Sequence, residues 1–168
     1  MSTLRLAAAL VATALFTPTI AVAASPADIT LGTRTTLNLA SAKAVAAAAE
    51  AEATRQGLRV TIVVVDDAGR LLLLQRMDGT PNSSVDVATA KARHAVNYRR
   101  DTVFHQELLE KNALPVLVLP DSLPIEGGVM LKHGEEVIGA IGISGGPSTK
   151  DGEIARAGAA VLVSARAK

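Results

Sequence analysis

The segment "LRVTIVVVDDAGRLLLLQRMD", residues 58–78, constrains the fold more than any other stretch. Two β-rich apolar runs flank Asp67-Ala68-Gly69, and a glycine at that place in a short turn predicts a β-hairpin. Both runs are apolar almost throughout, so both faces of the hairpin are expected to be covered. "LNLASAKAVAAAAEAEATRQG" supplies the first helix, with Asn38 as N-cap, Leu37 as staple and Gly57 as stop. Its alanines permit another element to approach closely. "TPNSSVDVATAKARHAVNYRR" predicts a second helix, opened by a capping box from Ser83 to Asp86. Its core stripe is Val85, Ala88, Ala92, Ala95 and Val96. "DTVFHQELLEKNA" predicts a third, short helix capped by Asp101.

The stretch from Leu114 to Ser144 contains strand-like runs, with a second hairpin turning at Lys132-His133-Gly134-Glu135. A last helix starts near Ser148 or Thr149. Helix, hairpin, helices, strands and helix, in that order, predict one α+β domain with an antiparallel sheet. Aromatic content is only 2%, so the core must be packed from small aliphatic side chains.

The first two dozen residues fall outside this pattern. Arg5, the apolar run Leu6–Phe16, Pro18 and the Ala21-x-Ala23 spacing read as a secretory signal peptide over residues 1–24, cleaved after Ala23 or Ala24. The apolar run is shorter than the about 20 residues a membrane span needs. Removal leaves a polar, flexible arm over residues 25–36 and a domain over residues 37–168. The expected location is therefore periplasmic or secreted, with no integral membrane anchor after cleavage. Cysteine is absent, which removes disulfides, thiolate metal sites and a cysteine nucleophile. Net charge is +1, which gives no electrostatic reason to expect nucleic acid.

"KARHAVNY", residues 91–98, holds the residues with the most chemistry. Lys91, His94 and Tyr98 fall three and four apart, on one helical stripe that flanks the core stripe. Such an edge opens onto pockets and oligomer contacts. A neutral imidazole there can bind iron or act as a base near pH 7. The alternative is a half-buried histidine satisfied by a carbonyl or a subunit contact. Lys91 can pair with a ligand carboxylate, or with Asp86 or Asp78. Tyr98 can serve a ligand or simply cover the helix end. Glu126, Gly127 and Gly128 open a strand, where adjacent glycines admit either a flat ligand or another subunit. Gly145 and Gly146 precede a helix, and their amides can hold a carboxylate or phosphate, or form a plain turn. Arg76 and Asp78 are expected to form a salt bridge that sets their turn. His105 is not on one helix face with Glu107, and His133, in a turn, is expected to be solvated. No H-E-x-x-H, G-x-S-x-G, P-loop or dinucleotide motif is present.

"VVDDAGRLLLLQRMDGTPNSSVDVATAKA" and "PIEGGVMLKHGEEVIGAIGISGGPSTKDGEIARAG" together resemble the GlcG/HbpS-like family, which includes the C-terminal domain of PduO-type proteins. The resemblance runs from about Leu37 to Ala160. It implies a profilin-like α/β/α sandwich with a central antiparallel sheet, and frequent assembly into homo-oligomers. It also implies haem or another tetrapyrrole as ligand, in haem sensing or handling. Some haem-binding relatives use a histidine on the first helix, and residues 37–57 contain none. His94 is then the expected iron ligand, with Lys91 on a propionate and Tyr98, Glu126, Gly127 and Gly128 around the ligand. On this reading His133 contributes nothing to binding. The alternative is a small cofactor-independent enzyme, an isomerase, lyase or hydrolase acting on a small carboxylate or carbonyl metabolite. His94 would be its general base, with Lys91 and Tyr98 stabilising an oxyanion.

Overall fold

Asn38 takes an extended backbone and its side chain accepts the Ser41 N–H at 2.8 Å, which starts helix α1, Leu39–Arg55. The helix ends where Gly57 adopts φ +68° and the Leu58 N–H reaches back to the Ala53 carbonyl. Residues 30–164 are described in the computed structural model of the protein; the segment 1–24 expected to be a signal peptide lies outside them, as do residues 25–29 of the expected arm. Residues from Arg34 onward form a unit of their own.

Strands β1 (Thr61–Asp66) and β2 (Leu71–Arg76) form the expected hairpin. The Asp66 carboxylate accepts the amides of Ala68 and Arg70 at 2.9 and 2.8 Å, and Gly69 supplies φ +72°. Helix α2 (Ser84–Tyr98), helix α3 (Thr102–Glu110), strands β3 (Gly128–His133) and β4 (Glu136–Ser144) and helix α4 (Ser148–Ser164) follow. The four strands lie in the order β2-β1-β4-β3, every neighbour antiparallel.

The sheet is packed on both faces. Ile62 and Val64 of β1 join Leu131, Ile141 and Ile143 against α1 and Ile154 of α4. Val63 and Val65 point the other way, with Ala140, against Ala88, Ala92 and Ala95 of α2. Alternation along β1 thus feeds two cores from one strand. Gly142 sets the spacing on the α2 side: a Cβ there would lie 2.0 Å from the Ala88 carbonyl oxygen. The helix backbone rests directly on the sheet.

Four expectations need correction. β1 is covered on both faces, but β2 is an edge strand, with Leu71 53% and Leu74 40% exposed. These two pair with Val65 and Val63 and so share the α2 face, yet α2 lies over β1, β4 and β3 and leaves β2 at the rim. The Ser83–Asp86 capping box is not formed; Ser83 has helical dihedrals and its side chain caps nothing, while Ser84 bonds Thr61 and the Pro81 carbonyl. Asp101 precedes α3 without capping it, because its carboxylate takes the Met130 N–H at 2.9 Å and ties α3 to β3. Finally, Leu114–Val118 is a 3-10 helix rather than a strand. Pro115 and Pro120 lack the N–H groups that a ladder needs.

Candidate functional site

The stripe on α2 is deeper than its spacing suggested. Lys91 is 2% exposed and His94 is fully buried, while Tyr98 is half-buried. The Lys91 Nζ donates to the Asp151 carboxylate at 2.8 Å and to the Ile143 carbonyl at 3.0 Å. Its partner is therefore neither Asp86 nor Asp78 but a residue of α4, itself 2% exposed. The second Asp151 oxygen accepts the Gly146 N–H at 3.0 Å. The amides before α4 thus hold a carboxylate, and it is the chain's own. Burial pushes the Asp151 carboxyl up, against the pull of Lys91 and of the Gly145 and Gly146 amides.

Glu126, Gly127 and Gly128 serve the same junction. Gly127 has φ +130°, and a Cβ there would lie 2.7 Å from the Lys91 Nζ. A Cβ on Gly128 would lie 2.2 Å from the Lys91 carbonyl oxygen. The close approach these glycines permit is made by α2 of the same chain. Glu126 is buried, accepts the Arg156 guanidinium at 2.9 Å, and takes a Gln106 side-chain oxygen on its amide at 2.7 Å. Arg76 donates to the Thr80 carbonyl and to Asn82 at 2.6 and 2.7 Å. Among the described residues it makes no ion pair with Asp78, so hydrogen bonds set that turn.

His94 lies against His105 and Tyr98, with ring centroids 4.8 and 4.9 Å away. Its Nδ1 accepts the Leu123 backbone N–H at 2.8 Å, and its Nε2 lies 2.6 Å from the His105 Nδ1. A backbone N–H can only donate, so the neutral His94 carries its proton on Nε2 and donates it to His105. His105 then carries its own proton on Nε2. Burial, followed by His105, pulls His94 down to about 4, which keeps it neutral at pH 7 and a weak base. The Tyr98 hydroxyl donates to the Pro120 carbonyl. Both ring nitrogens of His94 are thus engaged within the chain, and its geometry does not fit an iron ligand. Among the described residues no group of three or more His, Asp or Glu side chains is arranged to hold a metal ion.

The partners Asp151, His105 and Leu123 are what sequence reasoning missed. Asp151 lies 60 residues from Lys91, and no local spacing announces it. His133 is exposed, as expected, at the end of β3. It also lines a cleft of about 210 Å³ with Leu37, Ser41, Lys132, Ile138 and Leu162. A larger cleft of about 380 Å³ lies on the outer side of α2, between Asp86, Arg93 and the loop at Asp121 and Ser122.

An antiparallel sheet packed between α1 and α4 on one side and α2 on the other defines a class of small layered α+β domains. Within that class, the chain belongs to the family described as haem degrading protein HbpS-like, whose pattern it matches over residues 37–160. Protein GlcG of Escherichia coli is 35% identical over 92 residues, 55% of this chain and 69% of that protein. A crystal structure of a double mutant of Streptomyces reticuli HbpS superposes with TM-score 0.72 at 34% identity, over 83% of this chain and 98% of that one. A crystal structure of a PduOC:heme complex superposes with TM-score 0.68 at 25% identity, over 75% and 94% of the two chains.

Proposed function

We propose that this protein binds a small flat ligand, haem or another tetrapyrrole, after export from the cytoplasm, and that it works in haem sensing or handling as a homo-oligomer. The observation that carries the reading is the likeness in fold and sequence to a PduOC domain whose structure contains heme. The family description points the same way. Export rests on the order of charge, apolar run and Ala-x-Ala at the start of the chain. Among the described residues no helix is long and apolar enough to cross a membrane. Assembly is supported by exposed apolar side chains in two places, Leu71 and Leu74 on β2 and Leu114, Leu117 and Val118 on the 3-10 helix. The general-base alternative draws no support from the geometry, since His94 is neutral and doubly bonded and the Lys91 ammonium is held by Asp151.

The test is a titration of the purified mature protein with hemin, followed by absorption. A saturable Soret shift at one hemin per chain is expected; a spectrum that remains the sum of free hemin and protein refutes the reading. Light scattering on the same sample should give a multiple of the chain mass. N-terminal sequencing of protein from an exporting host should start at Ala24 or Ser25.

A further inference from the structure

The chain has three histidines, and the structure separates them by what their ring nitrogens already do. His94 has none free. His105 is 7% exposed, accepts from His94 on Nδ1 and presents a protonated Nε2. A protonated nitrogen donates; it does not bind a metal. The His133 side chain is exposed and makes no hydrogen bond or ion pair among the described residues. Both of its nitrogens are available, and it lines the cleft beside the start of α1.

We propose that His133 is the side chain of this protein that meets the iron of a bound tetrapyrrole, in the cleft floored by Leu37, Ile138 and Leu162, with Lys132 pairing a carboxylate tail of the ligand. The inference rests on the tetrapyrrole reading above and names its site. The chemistry of the lining carries it. Leu37 and Ile138 are core residues whose outer surface reaches the cleft, so they offer apolar walls to a ring. A neutral imidazole is a common haem ligand. Lys132 is exposed and forms no ion pair among the described residues, so its ammonium is open to a carboxylate. Ser41, in the first turn of α1, adds a hydroxyl to the rim. At about 210 Å³ the cleft is smaller than the roughly 300–1,000 Å³ of sites that enclose a whole ligand. It therefore grips one edge of the ring and leaves the other edge outside.

The site also accounts for a histidine-free first helix. β3 brings a histidine to the cleft beside the start of α1 from the opposite partner of the sandwich.

The experiment compares hemin with metal-free protoporphyrin, each titrated into the wild-type protein, His133→Ala, Lys132→Ala and His94→Ala. His133 and Lys132 are exposed, so melting temperatures should match the wild type and confirm folding. His133→Ala is expected to lose at least about tenfold in hemin affinity, to lose the histidine-ligated electron paramagnetic resonance signal, and to keep its protoporphyrin affinity. Lys132→Ala should weaken both ligands by the same factor. His94→Ala, where it folds, should retain the histidine-ligated signal. Unchanged hemin affinity and spectrum in His133→Ala would overturn the assignment while leaving the tetrapyrrole reading intact. Binding of neither ligand by the wild type would overturn the reading and the assignment with it.

Discussion

Replacing Lys91 by methionine keeps most of the stem and removes the ammonium. Asp151 then loses its contact at 2.8 Å and keeps the Gly146 amide at 3.0 Å, inside a site where both partners were 2% exposed. Breaking a buried pair from one side typically costs about 3–5 kcal/mol, because a charge is left without its partner. An upper bound comes from the carboxylate itself, which can escape by taking a proton. From an ordinary value of 3.8, protonating Asp151 at pH 7 costs about 1.36 × 3.2, or about 4 kcal/mol. The same route costs only about 1.6 kcal/mol at pH 5. In the variant the folded carboxyl is raised far above its unfolded value. The unfolded state then binds fewer protons, so the variant gains on the wild type as the pH falls. Urea denaturation followed by circular dichroism, wild type against Lys91→Met, should show a deficit near 4 kcal/mol at pH 7 that shrinks by about 1.4 kcal/mol per pH unit on acidification. Adding Asp151→Leu should restore much of the loss at pH 7. A deficit under about 1 kcal/mol at pH 7, or one that does not change with pH, would show that the pair is not desolvated and refute the reasoning.

Two further predictions concern the same face. His94 is held near 4 when folded against 6.5 when free, so the unfolded chain takes up its proton first. Its contribution to stability is therefore intact above pH 6.5, is lost as the pH falls from 6.5 towards 4, and levels off below, for a total of at most about 3 kcal/mol. An NMR titration of the His94 ring with a midpoint near 6.5 would contradict this. Gly142→Ala places a methyl 2.0 Å from the Ala88 carbonyl oxygen, so α2 must lift from the sheet, at about 3 kcal/mol or more. Denaturation of that variant at the wild-type midpoint would show that the layers are looser than described.

The elements that were legible in the sequence are those with local signals. Asn38 and Gly57 bound α1, and Gly69 closes the first hairpin. The misread elements depend on distant partners. Asp101 is an acceptable cap, but the Met130 amide on β3 claims its carboxylate. The run at 114–118 is apolar enough for a strand, and only Pro115 and its exposure mark it otherwise. The stripe on α2 lies deeper than helical projection alone implies. Helical projection places Lys91 and His94 on the flank, and on a sheet with side chains throughout they would stay there. Gly128 and Gly142 remove those side chains, α2 settles onto the backbone, and its flanks go under with it. Contacts 60 residues apart, as between Lys91 and Asp151, follow from that descent and have no periodicity to betray them.

The Tyr98 contact with Pro120 has a practical consequence. The chain has no tryptophan and a single tyrosine, so its near-ultraviolet emission comes almost wholly from one phenol. That phenol bonds the segment leading to Leu123, lies tilted against His94 and meets His105 edge-on. The protein thus carries a native optical gauge at a known place. A change in tyrosine emission that precedes loss of helical dichroism would report the 114–125 segment parting from α2 while the sandwich beneath it is still assembled.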